Sequence, residues 1–248
     1  RAMGEETYAG RLEALAATID AACKESFLLG HPRYGKVYTD TTDDCWTYEY
    51  KRFAELFLAS DLLSYDIAAD RPDLFEAMNR TFDAQKEVFY KPESGRQMGY
   101  GQGYLTQSVL LLDRYPELTD CVEAATQFCY HHSDENYIVP EGVILHGSGR
   151  YWFRNCDQGN AVQQAEIVKC ARLIAGVDDL DPARGLRLIP RLPDRWSSIE
   201  VSDYPVHQGG GTTETLSYQY RRCGVDGTGD IVARSPHEGY ALSYTLTG

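Results

Sequence analysis

The chain has 248 residues, 43 % hydrophobic and 25 % charged, which suits one ordinary globular domain or a large and a small one and excludes disorder and collagen. With 37 acidic against 24 basic residues the formal charge is −13, and such a surface repels phosphate backbones and anionic lipid, so neither nucleic acid nor a membrane is an expected partner. No run approaches 18 consecutive apolar residues, and the first residues lack the basic, apolar, small order of an intact signal peptide.

Tyr, Trp and Phe make up 12 % of the chain, a payload for core packing that also builds the flat walls of polar-ligand clefts. The seven cysteines are scattered without a C-x-x-C pair, so no metal and no cofactor is expected. Unpaired-looking thiols in odd number favour a cytoplasmic over a secreted setting. A start at Arg1 rather than Met reads as a piece of a longer product.

In chain order, residues 5–27 place Leu12, Leu15, Ile19, Ala22 and Cys23 on one face at helical spacing. A polar, Tyr-rich loop follows. Asp43 and Asp44 then open a second predicted helix to about residue 65, with Trp46, Tyr50, Phe53 and Phe57 recurring every three or four positions. Pro72 opens a third, with Phe75, Met78, Phe82 and Phe89 as its stripe, ending before Pro92.

The segment KPESGRQMGYGQGY reads as glycine-rich loop, and the apolar run 104–115 as a short buried fourth helix. Pro116 starts a fifth, to about residue 132, with Leu118, Val122, Ala125 and Cys129 inward. Residues 133–158 are a non-helical insert too long for a plain helix connection unless it carries function or short strands. After Asn160 a sixth helix puts Ala161, Ala165, Val168, Ala171 and Ala175 on one side and ends near Gly176.

From Gly185 the texture changes to four short β-like runs, GLRLIPRLP, SSIEVSDYPV, TLSYQYRR and GYALSYTLTG. The HQGGGTT stretch between two of them is loop rather than phosphate cradle, since no strand–loop–helix unit surrounds it. Two domains are expected, helical hairpins over 1–180 and a β-tail over 181–248.

Helical hairpins, then YIVPEGVILHGSGRYWFRNCDQGNAVQQAEIVKCARLI, then GLRLIPRLPDRWSSIEVSDYPV form an order that resembles the C-terminal half of six-hairpin (α/α)6-toroid glycosidases and their inverting phosphorylase relatives. The likeness covers about 100–206, and the phrase from Gly185 to Trp196 carries most of it. It implies a mainly α fold, an α/α toroid with a small C-terminal antiparallel β-unit, and a carbohydrate-active function with a saccharide substrate. A full toroid needs twelve helices and the sequence offers six, so a partner chain or a missing N-terminal segment is expected to complete it. A half-toroid would expose the apolar inner faces of its helices. The carboxylate-rich signature of the superfamily's α-L-rhamnosidases is absent from the sequence.

Glycoside cleavage needs two carboxyl groups, one protonated to help the leaving oxygen depart and one ionised as base or nucleophile. Glu141, apolar-flanked in YIVPEGVIL, suits the acid; its bland alternative is a loop Glu at a turn completed by Gly142. Asp157 suits the partner, or holds the loop through amides at the following helix start. Asp43 and Asp44 form a second acidic group that helix-dipole preference explains equally well.

The stretch HGSGRYWFRN gathers His146, Tyr151, Trp152 and Arg154, an aromatic face to stack on a sugar and donors for its hydroxyls, or equally a β-hairpin turning at Gly147 to Gly149. Trp46, Tyr100 and Gln102 are further candidates for the cleft wall. The sequence therefore points to a glycoside hydrolase acting on an oligosaccharide or plant-type glycan. The alternatives are a noncatalytic carbohydrate-binding or scaffold protein and an inverting glycoside phosphorylase.

Overall fold

The structure is a computed structural model that describes residues 4–39, 65–89, 96–97, 99–126, 140–146, 151–158, 161–179, 186–207, 213–223, 228–234 and 242–244. Helices carry more of these residues than strands do, and the strands form small, mostly antiparallel sheets. The second predicted helix, with Asp43, Asp44 and Trp46, lies outside the described residues, as does the HQGGGTT loop except at its ends. The chain divides into two compact units, residues 1–55 with 73–91, and residues 56–72 with 92–248.

In the first unit α1 (Glu6–Phe27) runs into the hairpin of β1 (Leu28–His31) and β2 (Gly35–Tyr38), and α3 (Pro72–Phe89) packs beside it. Pro72 is the first residue of α3, where the missing N–H costs nothing. The buried stripe of α3 is Leu74, Ala77, Met78 and Phe82, which includes the predicted Met78 and Phe82, while the predicted Phe75 is only half-buried. Thr81 Oγ1 explains the phase, because it accepts from Tyr38 N at 2.8 Å and so turns that face toward β2. Arg80 Nε adds a bond to Lys36 O at 3.0 Å, and Lys24 ties α1 to Asp73 at 2.6 Å.

The second unit begins with the single turn α2 (Ile67–Asp70). The sheet of β3 (Arg96–Gln97), β4 (Pro140–His146) and β5 (Tyr151–Gln158) interleaves with α4 (Gly99–Leu111), α5 (Tyr115–Ala125) and α6 (Ala161–Ala175). Leu105, Val109, Leu110 and Leu111 are buried together with Thr106, Gln107 and Ser108, so α4 is enclosed on all sides. That is why its sequence shows an apolar run rather than a stripe.

Two features of these helices correct the expectations. First, α4 starts at Gly99, inside the segment read as loop. Gly103 must be glycine, because a Cβ there would meet Glu166 Cβ of α6 at 2.8 Å. Second, the side of α6 that carries Ala165, Val168 and Ala171 faces outward: Ala165 and Ala171 are exposed and Val168 is 61 % exposed. Glu166, Cys170, Leu173 and Ile174 are buried instead, at the i, i+4, i+7, i+8 spacing of a packed face. Alanines gain little from burial, whereas Glu166 finds partners inside.

Gly176 ends α6 in the left-handed region at φ 70°, as its place in the sequence suggests, and accepts from Ile189 N at 2.7 Å. The strands β6 (Val177–Asp178), β7 (Leu186–Leu188) and β11 (Leu242–Tyr244) form one sheet, with β11 parallel to β7. β8 (Ser198–His207), β9 (Thr213–Cys223) and β10 (Thr228–Arg234) form an antiparallel meander. Val177, Leu186, Leu188, Leu192, Leu216, Tyr218 and Tyr220 close the core between these sheets. β10 was not among the expected strands because Gly and Asp dominate its start.

Candidate functional site

The long insert carries an antiparallel pair. β4 and β5 align His146 with Tyr151, Leu145 with Trp152, Ile144 with Phe153, Val143 with Arg154 and Gly142 with Asn155, while Pro140 aligns with Gln158. Between the last two rungs β4 has one residue and β5 has two, so Glu141 stands opposite Cys156 and Asp157 in a β-bulge. Such bulges bend a strand, increase its twist and are over-represented beside active sites. Glu141 is therefore a strand residue, not a turn residue.

Topology gathers more at this rung. β3 is antiparallel to β4, with Arg96 opposite Ile144 and Gln97 opposite Val143, so β3 and β5 run the same way and both end near Glu141. From those two ends the chain enters α4 at Gly99 and α6 at Ala161. Tyr100 and Gln102 lie in the first turn of α4, at the same end of the sheet as Glu141 and Asp157.

The remaining candidates lie elsewhere on the sheet. Trp152 and Arg154 alternate along the middle of β5 and share one face, as period two requires. His146 and Tyr151 form the rung farthest from Glu141, about 17 Å away by strand rise. The turn between them, with Gly147 to Gly149, lies outside the described residues.

Polar clasps hold α4 and α6 behind this end of the sheet. Gln107 Nε2 donates to Glu166 Oε2 at 2.7 Å and to Glu166 O at 3.0 Å, and Lys169 reaches Glu166 Oε1 at 2.8 Å. Glu166 is 4 % exposed, and these partners satisfy its carboxyl oxygens inside the fold. Cys170 Sγ adds contacts to Gly103 O and Glu166 O. Sequence reading missed this group because Glu166 looks like a polar residue on an alanine-rich helix.

The phrase that carries the family resemblance turns out to be a clasp as well. Arg191, 1 % exposed, gives Nε to Asp113 Oδ1 at 2.8 Å and Nη2 to Tyr65 O at 2.6 Å. Asp113 sits in the turn between α4 and α5 at φ 52°. Arg187 bonds Asp70 at 3.0 Å and also Asp178; burial lowers its pKa, but the two carboxylates more than offset this and hold it above the ordinary arginine value. Leu186, Leu188, Ile189 and Leu192 of the same phrase are buried. Alternating Leu and Arg fits this division, with the leucines in the core and the arginines on remote carboxylates.

Beside it, Arg172 stacks over the Tyr65 ring at 5.5 Å and pairs with Asp179. Burial raises the pKa of the Tyr65 phenol well above its ordinary value, although the Arg172 charge pulls the other way. Tyr65 is fully buried, and among the described residues its hydroxyl has no hydrogen-bond partner. Burial likewise raises Tyr204 and Tyr218. Among the described residues no group of His, Cys, Asp and Glu could hold a metal ion, and no helix is long and apolar enough to cross a membrane. Comparison with family models, curated proteins and solved structures returns no match.

Proposed function

We propose that this chain is a carbohydrate-active protein, a glycoside hydrolase that cleaves an oligosaccharide or plant-type glycan, with Glu141 as general acid and Asp157 as its carboxylate partner. The observation that carries the reading is the bulge, in which Glu141 of β4 stands opposite Cys156 and Asp157 of β5. Glu141 and Asp157 are not a directly opposed pair, since the bulge shares the position opposite Glu141 between Cys156 and Asp157, and such offset residues have Cβ atoms roughly 5–8 Å apart. That backbone spacing suits carboxyl pairs acting on one glycosidic bond, which lie roughly 5–9.5 Å apart.

In this reading Tyr100, Gln102, Trp152 and Arg154 bind sugar units near the scissile bond, and His146 and Tyr151 serve a more distant unit. Asp43 and Asp44 are the alternative carboxylate partners that the sequence offers, and Trp46 a further sugar-binding candidate. The helical hairpins are part of an (α/α)6 toroid whose other helices come from a further segment or chain.

The test is incubation with a panel of oligosaccharides and plant-type glycans, following new reducing ends with and without inorganic phosphate. Release without phosphate supports hydrolysis. Release that requires phosphate replaces it with phosphorolysis, and saccharide binding without any release replaces it with the noncatalytic alternative.

A further inference from the structure

None of the residues of α1 is buried. Along one side of this helix Tyr8 is 59 % exposed, Leu12 48 %, Leu15 54 % and Ile19 53 %, with exposed Ala22 continuing the line. These positions advance by four, three, four and three residues, the seam spacing of helices that pair with another helix. A surface helix held only by its own unit would carry polar residues there. At this spacing the stripe is suited to a second helix of the same period.

The flanks of the stripe select the partner and its direction. Arg11 and Glu25 lie on one edge, and Ala9, Ala16 and Cys23 on the other. In an antiparallel pair that sets Leu15 against the partner's Ile19, Leu12 meets the partner's Ala22 and Arg11 meets the partner's Glu25. By two-fold symmetry the charge pair occurs twice, and Ala16 faces its own equivalent across the axis, where small side chains allow close approach. A parallel pair sets Arg11 beside the partner's Ala16 and gains no charge pair. Lys24, the other cation of α1, is already held by Asp20 at 3.1 Å and Asp73 at 2.6 Å.

We infer that α1 is the seam of a homodimer, in which it pairs antiparallel with α1 of a second copy. The inference stands on the surface of α1 rather than on sugar chemistry. The seam is apolar along its centre and self-complementary in charge at its edges.

Sedimentation equilibrium over a range of concentrations tests it, with far-ultraviolet circular dichroism as the check on folding. The wild type is expected to be dimeric, Leu15→Asp monomeric with unchanged helicity, and Arg11→Glu weaker in association by roughly tenfold. The double variant Arg11→Glu/Glu25→Arg is expected to restore wild-type association. A monomeric wild type overturns the proposal. So does a dimer indifferent to Leu15→Asp, or a double variant no tighter than Arg11→Glu alone. Glycan release is read separately, so loss of either result leaves the other standing.

Discussion

At the scale of single residues, the strongest commitments are made by arginines. Arg191 is enclosed and satisfies the largely buried Asp113 and the Tyr65 carbonyl, so removing it takes the same partner from a carboxylate and a carbonyl. Arg191→Met is expected to lower unfolding free energy by about 3–5 kcal/mol in urea titration. Arg191→Lys is expected to recover only part of it, because an ammonium cannot serve Asp113 and Tyr65 with the same planar fork. A loss under about 1 kcal/mol for Arg191→Met would mean that the clasp is incidental. Little of this was legible, because the partners of Arg187 and Arg191 lie up to 126 positions away and nothing local in GLRLIPRLP names them. Local rules did better. Pro72 at a helix start and Gly176 at a helix end follow from φ alone, and the structure has both.

At the scale of elements, local pattern finds an element more readily than the face it buries. The sixth helix is present where Asn160 and Gly176 bracket it, yet its buried face is centred on Glu166 and Cys170 rather than on the alanines. A carboxylate enters a core only when remote donors await it, and Gln107 is 59 positions distant. The start of α4 was hidden for a related reason, since Gly99, Gly101 and Gly103 read as loop until the close approach of α6 at Gly103 is known. The paired strands of the insert were partly legible as alternation around a glycine turn. The bulge was not, because register depends on both strands together.

The bulge makes a sharp element-scale prediction. Deleting Cys156 leaves one residue on β5 opposite Glu141 and restores regular pairing from Pro140 to His146. Asp157 then becomes the direct partner of Glu141, and the offset that the bulge gives the two carboxylates is lost. Glycan release is expected to fall to background while circular dichroism and the urea midpoint stay close to wild type. Full activity in the deletion variant would remove the bulge from the mechanism. Cys156→Ser, which keeps the residue count, is expected to stay active.

At the scale of the whole molecule, buried tyrosines set an upper pH limit. Burial raises the phenols of Tyr65 and Tyr218, so in the folded state they keep their protons at pH values where the unfolded chain, with ordinary values near 10, gives them up. The unfolded state then binds fewer protons than the folded one, and stability falls as pH rises. Their contribution is fully present below about pH 10 and is lost progressively above it. Urea midpoints measured from neutral pH upward should decline beyond that point. Tyr65→Phe should decline less steeply and lose little at neutral pH, since among the described residues its hydroxyl has no hydrogen bond to forfeit. An equally steep decline in Tyr65→Phe would contradict the assignment.

Charge and fold class act at this scale too. The excess of acidic residues sets the molecule against polyanions and leaves neutral polyols as compatible ligands. The mainly helical character with small sheets was legible because strong periodicity needs no knowledge of distant partners. The exposed stripe of α1 was legible as a helix face, while its exposure became apparent only in the folded unit.

The most direct test of the central claim is to compare wild type with Glu141→Gln and Asp157→Asn on the glycan that the wild type cleaves fastest, measuring initial rate and saccharide affinity in parallel. Each variant is expected to lose about three orders of magnitude in rate with affinity within a few-fold of wild type. Rates within a few-fold of wild type in either variant would contradict the pairing of Glu141 with Asp157 as the reacting carboxyl groups.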